Sequence, residues 1–171
     1  MPAWLTWLVA MGILVLEGGF LAAFGIDGWS FQTAVLLTIF LALRRDFVSG
    51  CLILAALLVP IEWLAVAPSG YYSLSLVVVF FALQLVRGSI QSDWGLSQVL
   101  VATVAVLLQT VALWFFLVIM EPEAALGEAL LWGGLHGAAA AAGLAWPLGA
   151  LLTRFDRLVE PRSGRRVKGL S

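Results

Sequence analysis

Four side chains that can hold a proton or a ligand lie inside long apolar runs: Glu17, Glu62, Gln109 and His136. A carboxylate in such a setting can bind a ligand, pass a proton or hydrogen-bond a neighbouring helix. An imidazole exchanges protons near neutral pH, so a relay would join His136 to Glu17 or Glu62. Glu62 is the most unusual of the four, because "LLVPIEWLAV" sets it two residues after Pro60.

Most catalytic templates fail for lack of parts. The sequence has neither a glycine-rich phosphate loop ending in Lys-Ser or Lys-Thr nor an HExxH pair. A Ser–His–Asp set would have only His136 to use, and no aspartate falls in an apolar run to orient it. The sole lysine, Lys168, is near the C-terminus, which leaves no buried amine as nucleophile. The single cysteine, Cys51, excludes an intrachain disulfide, and with one histidine it cannot build a structural zinc site. It reads as a small buried hydrophobe. These absences point to a non-enzymatic protein with no metal and no cofactor.

The elements that position these groups follow from composition. Apolar residues make up 63% of the 171 and charged residues 11%, against about 25% charged in soluble domains. So few charges cannot cover a soluble exterior, so the chain reads as an all-α polytopic membrane bundle. Four runs reach the roughly 20 residues a spanning helix needs: Ala3–Phe24, Phe47–Ala67, Ser97–Met120 and Leu126–Leu152. Two are short, Trp29–Leu43 and Tyr71–Val86. "GIDG", "RRD", "PSG", "RGSIQSD" and "EPEA" supply the turns.

Charge placement supports six transmembrane helices with both termini cytoplasmic. In that arrangement Arg44, Arg45, Arg87 and the six basic residues from Arg154 to Lys168 all fall inside, as the positive-inside rule favours. The outer loops keep Asp27, Glu121 and Glu123, with Glu128 close by. Residues 1–158 then form one transmembrane domain. Residues 159–171 form a basic cytoplasmic tail, expected to be disordered and drawn to anionic lipid headgroups rather than nucleic acid. A cleaved signal peptide is the alternative for the first segment. It is disfavoured by the missing basic n-region and by Glu17-Gly18-Gly19 interrupting the apolar stretch.

Within this layout Glu62 lies about 7 Å and Glu17 about 10 Å from the outer surface, at 1.5 Å rise per residue. Gln109 and His136 lie nearer mid-membrane. Cys51, Ala55 and Leu58 share the helical face of Glu62, which predicts a bundle-facing acid. Pro60 frees the carbonyl of Ala56 and predicts a kink beside it. Packing is favoured over ligand binding for Glu62, and a structural hydrogen bond over a relay for His136. Gly133, Gly137 and Ala141 recur every four residues and predict a close-packing face, with His136 at its edge. Trp4, Trp7, Trp29, Trp94 and Trp146 fall where interfacial belt residues are expected.

From Arg44 onward the chain resembles the rod shape-determining MreD family of bacterial inner-membrane proteins. Three stretches carry the resemblance: "LLVPIEWLAVAPSGYYSLSLVVVFFALQLVRGS", "DWGLSQVLVATVAVLLQTVALWFF" and "LAWPLGALLTRFDRLVEP". The first is similar to the family's paired helices joined by a tight turn, with Glu62 where the family commonly has an aspartate. The stretch beginning at Asp93 resembles its tryptophan-started fifth span. The one beginning at Leu144 resembles its terminal Trp-Pro helix running into basic residues. The resemblance implies a non-enzymatic subunit of the cell-wall elongation machinery, binding an MreC-like shape protein and the RodA synthase with its transpeptidase. It also implies a helical layout shared with vitamin-binding transporter subunits. Another functional reading comes from that kinship: a substrate-binding membrane subunit with Glu17 and Glu62 lining an outward pocket.

Overall fold

The computed structural model describes residues 3–24, 32–64, 70–88, 96–120 and 127–159. They form six helices, with no strand among the described residues: α1 (Ala3–Phe24), α2 (Thr33–Arg44), α3 (Phe47–Leu64), α4 (Tyr71–Val86), α5 (Leu96–Met120) and α6 (Gly127–Val159). The expectations placed on "GIDG", "EPEA", Asp27, Trp29, Trp94, Glu121, Glu123 and the tail from Glu160 fall outside the described residues.

The last helix runs beyond its expected end at Leu152. "TRFDRLV" contains neither glycine nor proline to break the helix, which is described as far as Val159. Helix continues on both sides of Pro60 in α3 and of Pro147 in α6.

At the centre is α2. Every residue from Thr33 to Ala42 is buried, and α2 packs against each of the other five helices. Its sequence permits this, because a helix apolar on nearly all sides can be surrounded by protein or by lipid. Its internal hydroxyl is satisfied locally, Thr38 Oγ1 donating to the Ala34 carbonyl at 2.8 Å. Around it α1 packs on α3, α3 on α4, α4 on α5 and α5 on α6, while α1 and α6 do not pack on each other among the described residues. The outer helices form an open ring.

Long-range hydrogen bonds fix the directions. Arg45 donates to Thr6 Oγ1 at 2.8 Å, and Arg87 donates to the Arg45 carbonyl at 2.5 Å. Gln98 donates its amide to the Ala145 carbonyl at 3.0 Å. The start of α1, the α2–α3 junction, the end of α4 and the start of α5 therefore share one end with the later part of α6. Successive helices run antiparallel. At that end the Asp46 carboxylate accepts the Ser49 N–H at 3.2 Å and caps α3.

The outside is apolar. Leu16, Leu52 and Leu85 are 74%, 68% and 87% exposed, and α5 turns Val104, Val111, Phe115 and Val118 outward. By length and composition one helix, Ser97–Met120, suffices to cross a membrane; the other apolar helices are shorter among the described residues. The 12 residues of α2 rise about 18 Å, short of a hydrocarbon core of about 30 Å.

One sequence expectation needs correction. The inward face of α3 is Ile53, Leu54, Leu57 and Ile61, all buried, whereas Ala55 is exposed and Cys51 and Leu58 are half-buried. The face carrying Glu62 is therefore a flank of α3. The tryptophans at the start of α1 differ: Trp4 is exposed, and Trp7 is half-buried against the core.

Candidate functional site

The end of the bundle opposite the arginines gathers most of the singled-out polar groups. Glu62 closes α3 there, and its carboxylate reaches the start of α4. One oxygen accepts the Ser73 N–H at 3.0 Å and the other the Gly70 N–H at 3.4 Å. The local sequence makes this necessary. Gly70 is the N-cap of α4 and has no side chain to cap with, and its φ of 77° lies in the left-handed region. Ordinarily the N-cap side chain takes the N–H of the third helical residue, and that residue's side chain takes the N-cap N–H. Here Glu62 takes both. Its charge also faces the positive end of the α4 dipole.

Glu17 has no such partners. Thr33, the first residue of α2, presents its hydroxyl to the carboxylate. Neither carboxylate oxygen completes a hydrogen bond of normal length and angle, and both are shielded from solvent. Gln32 stands next to Thr33 as the N-cap of α2. It is 7% exposed, and its Oε1 is buried with no donor. Across from them, Tyr72 on α4 has the Gln109 side chain of α5 as its hydrogen-bond partner and lies in the field of both Glu17 and Glu62. Gln109 is 3% exposed. Five helices thus contribute to one polar cluster, with two carboxylates and, among the described residues, no cationic side chain paired to either.

The close-packing face of α6 is real but rotated from its expected position. Gly137 and Ala141 are buried as expected. Gly133 is exposed, with nothing within 4 Å of where a Cβ would stand. Gly134 takes its place: a Cβ there would meet Thr110 Cγ2 at 2.6 Å and Oγ1 at 2.8 Å. A Cβ on Gly137 would collide with the Gln32 amide. The buried line is Gly134, Gly137, Ala138, Ala141 and Ala145, mixing three- and four-residue steps as a 3.6-residue repeat requires. The strict four-residue spacing drifts off the contact and ends at Gly133.

His136 projects outward. It donates its Nδ1 proton to the Trp132 carbonyl at 2.8 Å, since a carbonyl only accepts, and its ring centroid lies 6.1 Å from that of Trp132. It is exposed and is not drawn into the cluster with Glu17 or Glu62. Sequence reasoning missed Gln32 and Tyr72. The signal for Gln32 was its place directly before the all-apolar α2 run, where an N-cap is expected. For Tyr72 it was a phenol one residue into a helix paired with an acid-bearing one.

Among the described residues this arrangement lacks an oriented nucleophile–base pair. No protein-family model, curated protein or solved structure matches the chain.

Proposed function

We propose that this protein is a non-enzymatic multi-pass subunit of the bacterial inner membrane, acting in cell-wall elongation by helix-mediated association with an MreC-like shape protein and the RodA–transpeptidase pair. In this reading all six helices lie in the membrane, with both termini cytoplasmic. The short α2 needs no lipid contact, because enclosure by five helices satisfies its environment. Membrane lipids meet the exposed leucines and valines, and the arginine-bearing end faces the cytoplasm.

The observation that carries the reading is the α3–α4 corner. In the first of the three resembling stretches, Glu62 ties the two helices together through Ser73 and Gly70, which suits a paired-helix element that is structural and not catalytic. Affinity purification from membranes in mild detergent tests it: a single-pass shape protein and a wall synthase should copurify.

One observation favours an alternative, a substrate-binding transporter subunit. Glu17 keeps two solvent-shielded carboxylate oxygens, neither of which completes a hydrogen bond of normal geometry among the described residues. Recovery of paired ATPases in the same purification would establish that reading and displace the first.

A further inference from the structure

We propose that the corner where the end of α4 meets the α2–α3 junction is a headgroup site for an anionic phospholipid, with Arg87 as its anchor. The site rests on the membrane reading and adds to it a specific lipid, which that reading does not itself require.

The corner joins distant parts of the chain. Arg87 donates to the Arg45 carbonyl at 2.5 Å, and Arg45 donates to Thr6 Oγ1 at 2.8 Å. The start of α1, the α2–α3 junction and the end of α4 are thereby tied at one point. Arg87 is half-buried, and the acceptor it meets among the described residues is a neutral carbonyl. A charge drawn partly out of water is costly unless it is matched by an opposite one. Within residues 44–49 and 84–88, Arg44, Arg45 and Arg87 stand against the single acid Asp46, an excess of two positive charges. The Asp46 carboxylate is engaged in its own helix, where it accepts the Ser49 N–H. A guanidinium presents a planar fork of donors that fits phosphate oxygens in pairs. The bond to Arg45 uses one arm of the Arg87 fork and leaves the rest of it for a phosphate.

Apolar surface beside the charge decides which phosphate. Phe47 is exposed, and its ring centroid lies 6.4 Å from that of Phe80 and 5.8 Å from that of Phe81. Phe80 and Arg87 are two turns apart and share a face of α4. Phe47 therefore stands on the Arg87 side of the corner, about 10 Å deeper at 1.5 Å per residue. Phe81 and Val48 beside it are exposed as well. A headgroup at Arg87 has open aromatic and aliphatic surface below it for an acyl chain. Free phosphate would use the arginine alone, whereas a phospholipid uses both. Basic pockets between helices on the cytoplasmic side take anionic headgroups in this way.

The test is the melting temperature of the purified full-length chain in neutral detergent micelles, at fixed pH and ionic strength. Phosphatidylglycerol, phosphatidylcholine or glycerol phosphate is added stepwise. Phosphatidylglycerol should raise Tm saturably, by about 4 °C at tenfold over its Kd, and the other two should leave it unchanged. Each variant is read against its own baseline. Arg87→Gln should weaken the apparent affinity for phosphatidylglycerol about tenfold. Arg87→Lys keeps the charge but loses the fork, and should weaken it about threefold. Arg154→Gln should not alter it, because exposed Arg154 belongs to α6, which does not pack on α4 among the described residues. Should Arg87→Gln fail to fold, the Arg87→Lys and Arg154→Gln results decide. An equal response to phosphatidylcholine overturns the proposal, and an equal response to glycerol phosphate replaces the lipid with a free phosphate. Affinity unchanged in Arg87→Lys, or lowered as much by Arg154→Gln, would show general surface attraction and overturn the site. A chain that stays dissolved without detergent refutes the membrane reading and the site together. A chain that needs detergent and ignores phosphatidylglycerol refutes the site alone.

Discussion

The Glu62 carboxylate accepts the backbone N–H of Ser73 at 3.0 Å, eleven residues along the chain. An acid at the end of one helix thereby caps the next. A carboxylate in an apolar run is costly, on the order of 3 kcal/mol at mid-membrane. Here two backbone donors and a helix dipole offset that cost without any basic side chain.

Replacing Glu62 separates capping from charge. Glu62→Gln keeps an acceptor oxygen for Ser73 and should cost about 1 kcal/mol, within the range of lost caps. Glu62→Leu leaves both N–H groups without an acceptor and should cost about 1 to 3 kcal/mol. Unfolding titrations in detergent micelles check the order. A Gln variant less stable than the Leu variant would contradict the capping role, and a loss of cell shape in the Gln variant at normal abundance would assign Glu62 to binding.

Gly70 offers an independent handle on the same corner. Nothing lies within 4 Å of a Cβ built there, so any loss on substitution is a backbone loss at φ 77°. Gly70→Ala should destabilise by about 1 to 2 kcal/mol. Gly70→Asn should lose only part of that, because asparagine tolerates left-handed backbone. Equal losses for the two variants would mean that the corner relaxes to another conformation.

Adjacent glycines on α6 should respond oppositely. Gly134→Ala drives a methyl into Thr110, whose hydroxyl is already bonded to the Val106 carbonyl at 2.9 Å. It should cost about 1 to 3 kcal/mol as an overpacked contact. Gly133→Ala meets nothing and should be neutral or gain up to about 1 kcal/mol from helix propensity. The same titration read on both variants decides which glycine bears the α5–α6 contact.

Helix number was legible because apolar run length and charged breaks carry it, and α1 and α4 begin and end where the runs do. Placement was less legible. Hydropathy ranks α2 as a weak span and says nothing of its enclosure by five helices, which depends on how the others pack. The repeat pattern favours Gly133 over Gly134 because four residues approximate 3.6 only over short distances. Glu62 reads as a packing group from its neighbours alone. Its partner, however, is a backbone N–H, which no residue type announces. The unpartnered oxygens of Glu17 and Gln32 are legible only in three dimensions.

The sidedness of the bundle gives the last expectation. Arg45 reaches Thr6 at 2.8 Å and Arg87 reaches the Arg45 carbonyl, so the basic breaks after α2 and α4 meet the start of α1 at one end. Glu17, Glu62 and Tyr72 mark the opposite end. Basic residues favour the cytoplasmic side, which under the proposed membrane arrangement would orient the whole antiparallel set. A reporter active only in the periplasm should therefore be silent when fused after Ser171 and active when inserted beside Glu123. The reverse pattern would invert the bundle, and activity at both positions would mean that α6 does not cross the membrane. A cysteine introduced at Arg87 should resist a membrane-impermeant thiol reagent in intact cells and react after the membrane is opened.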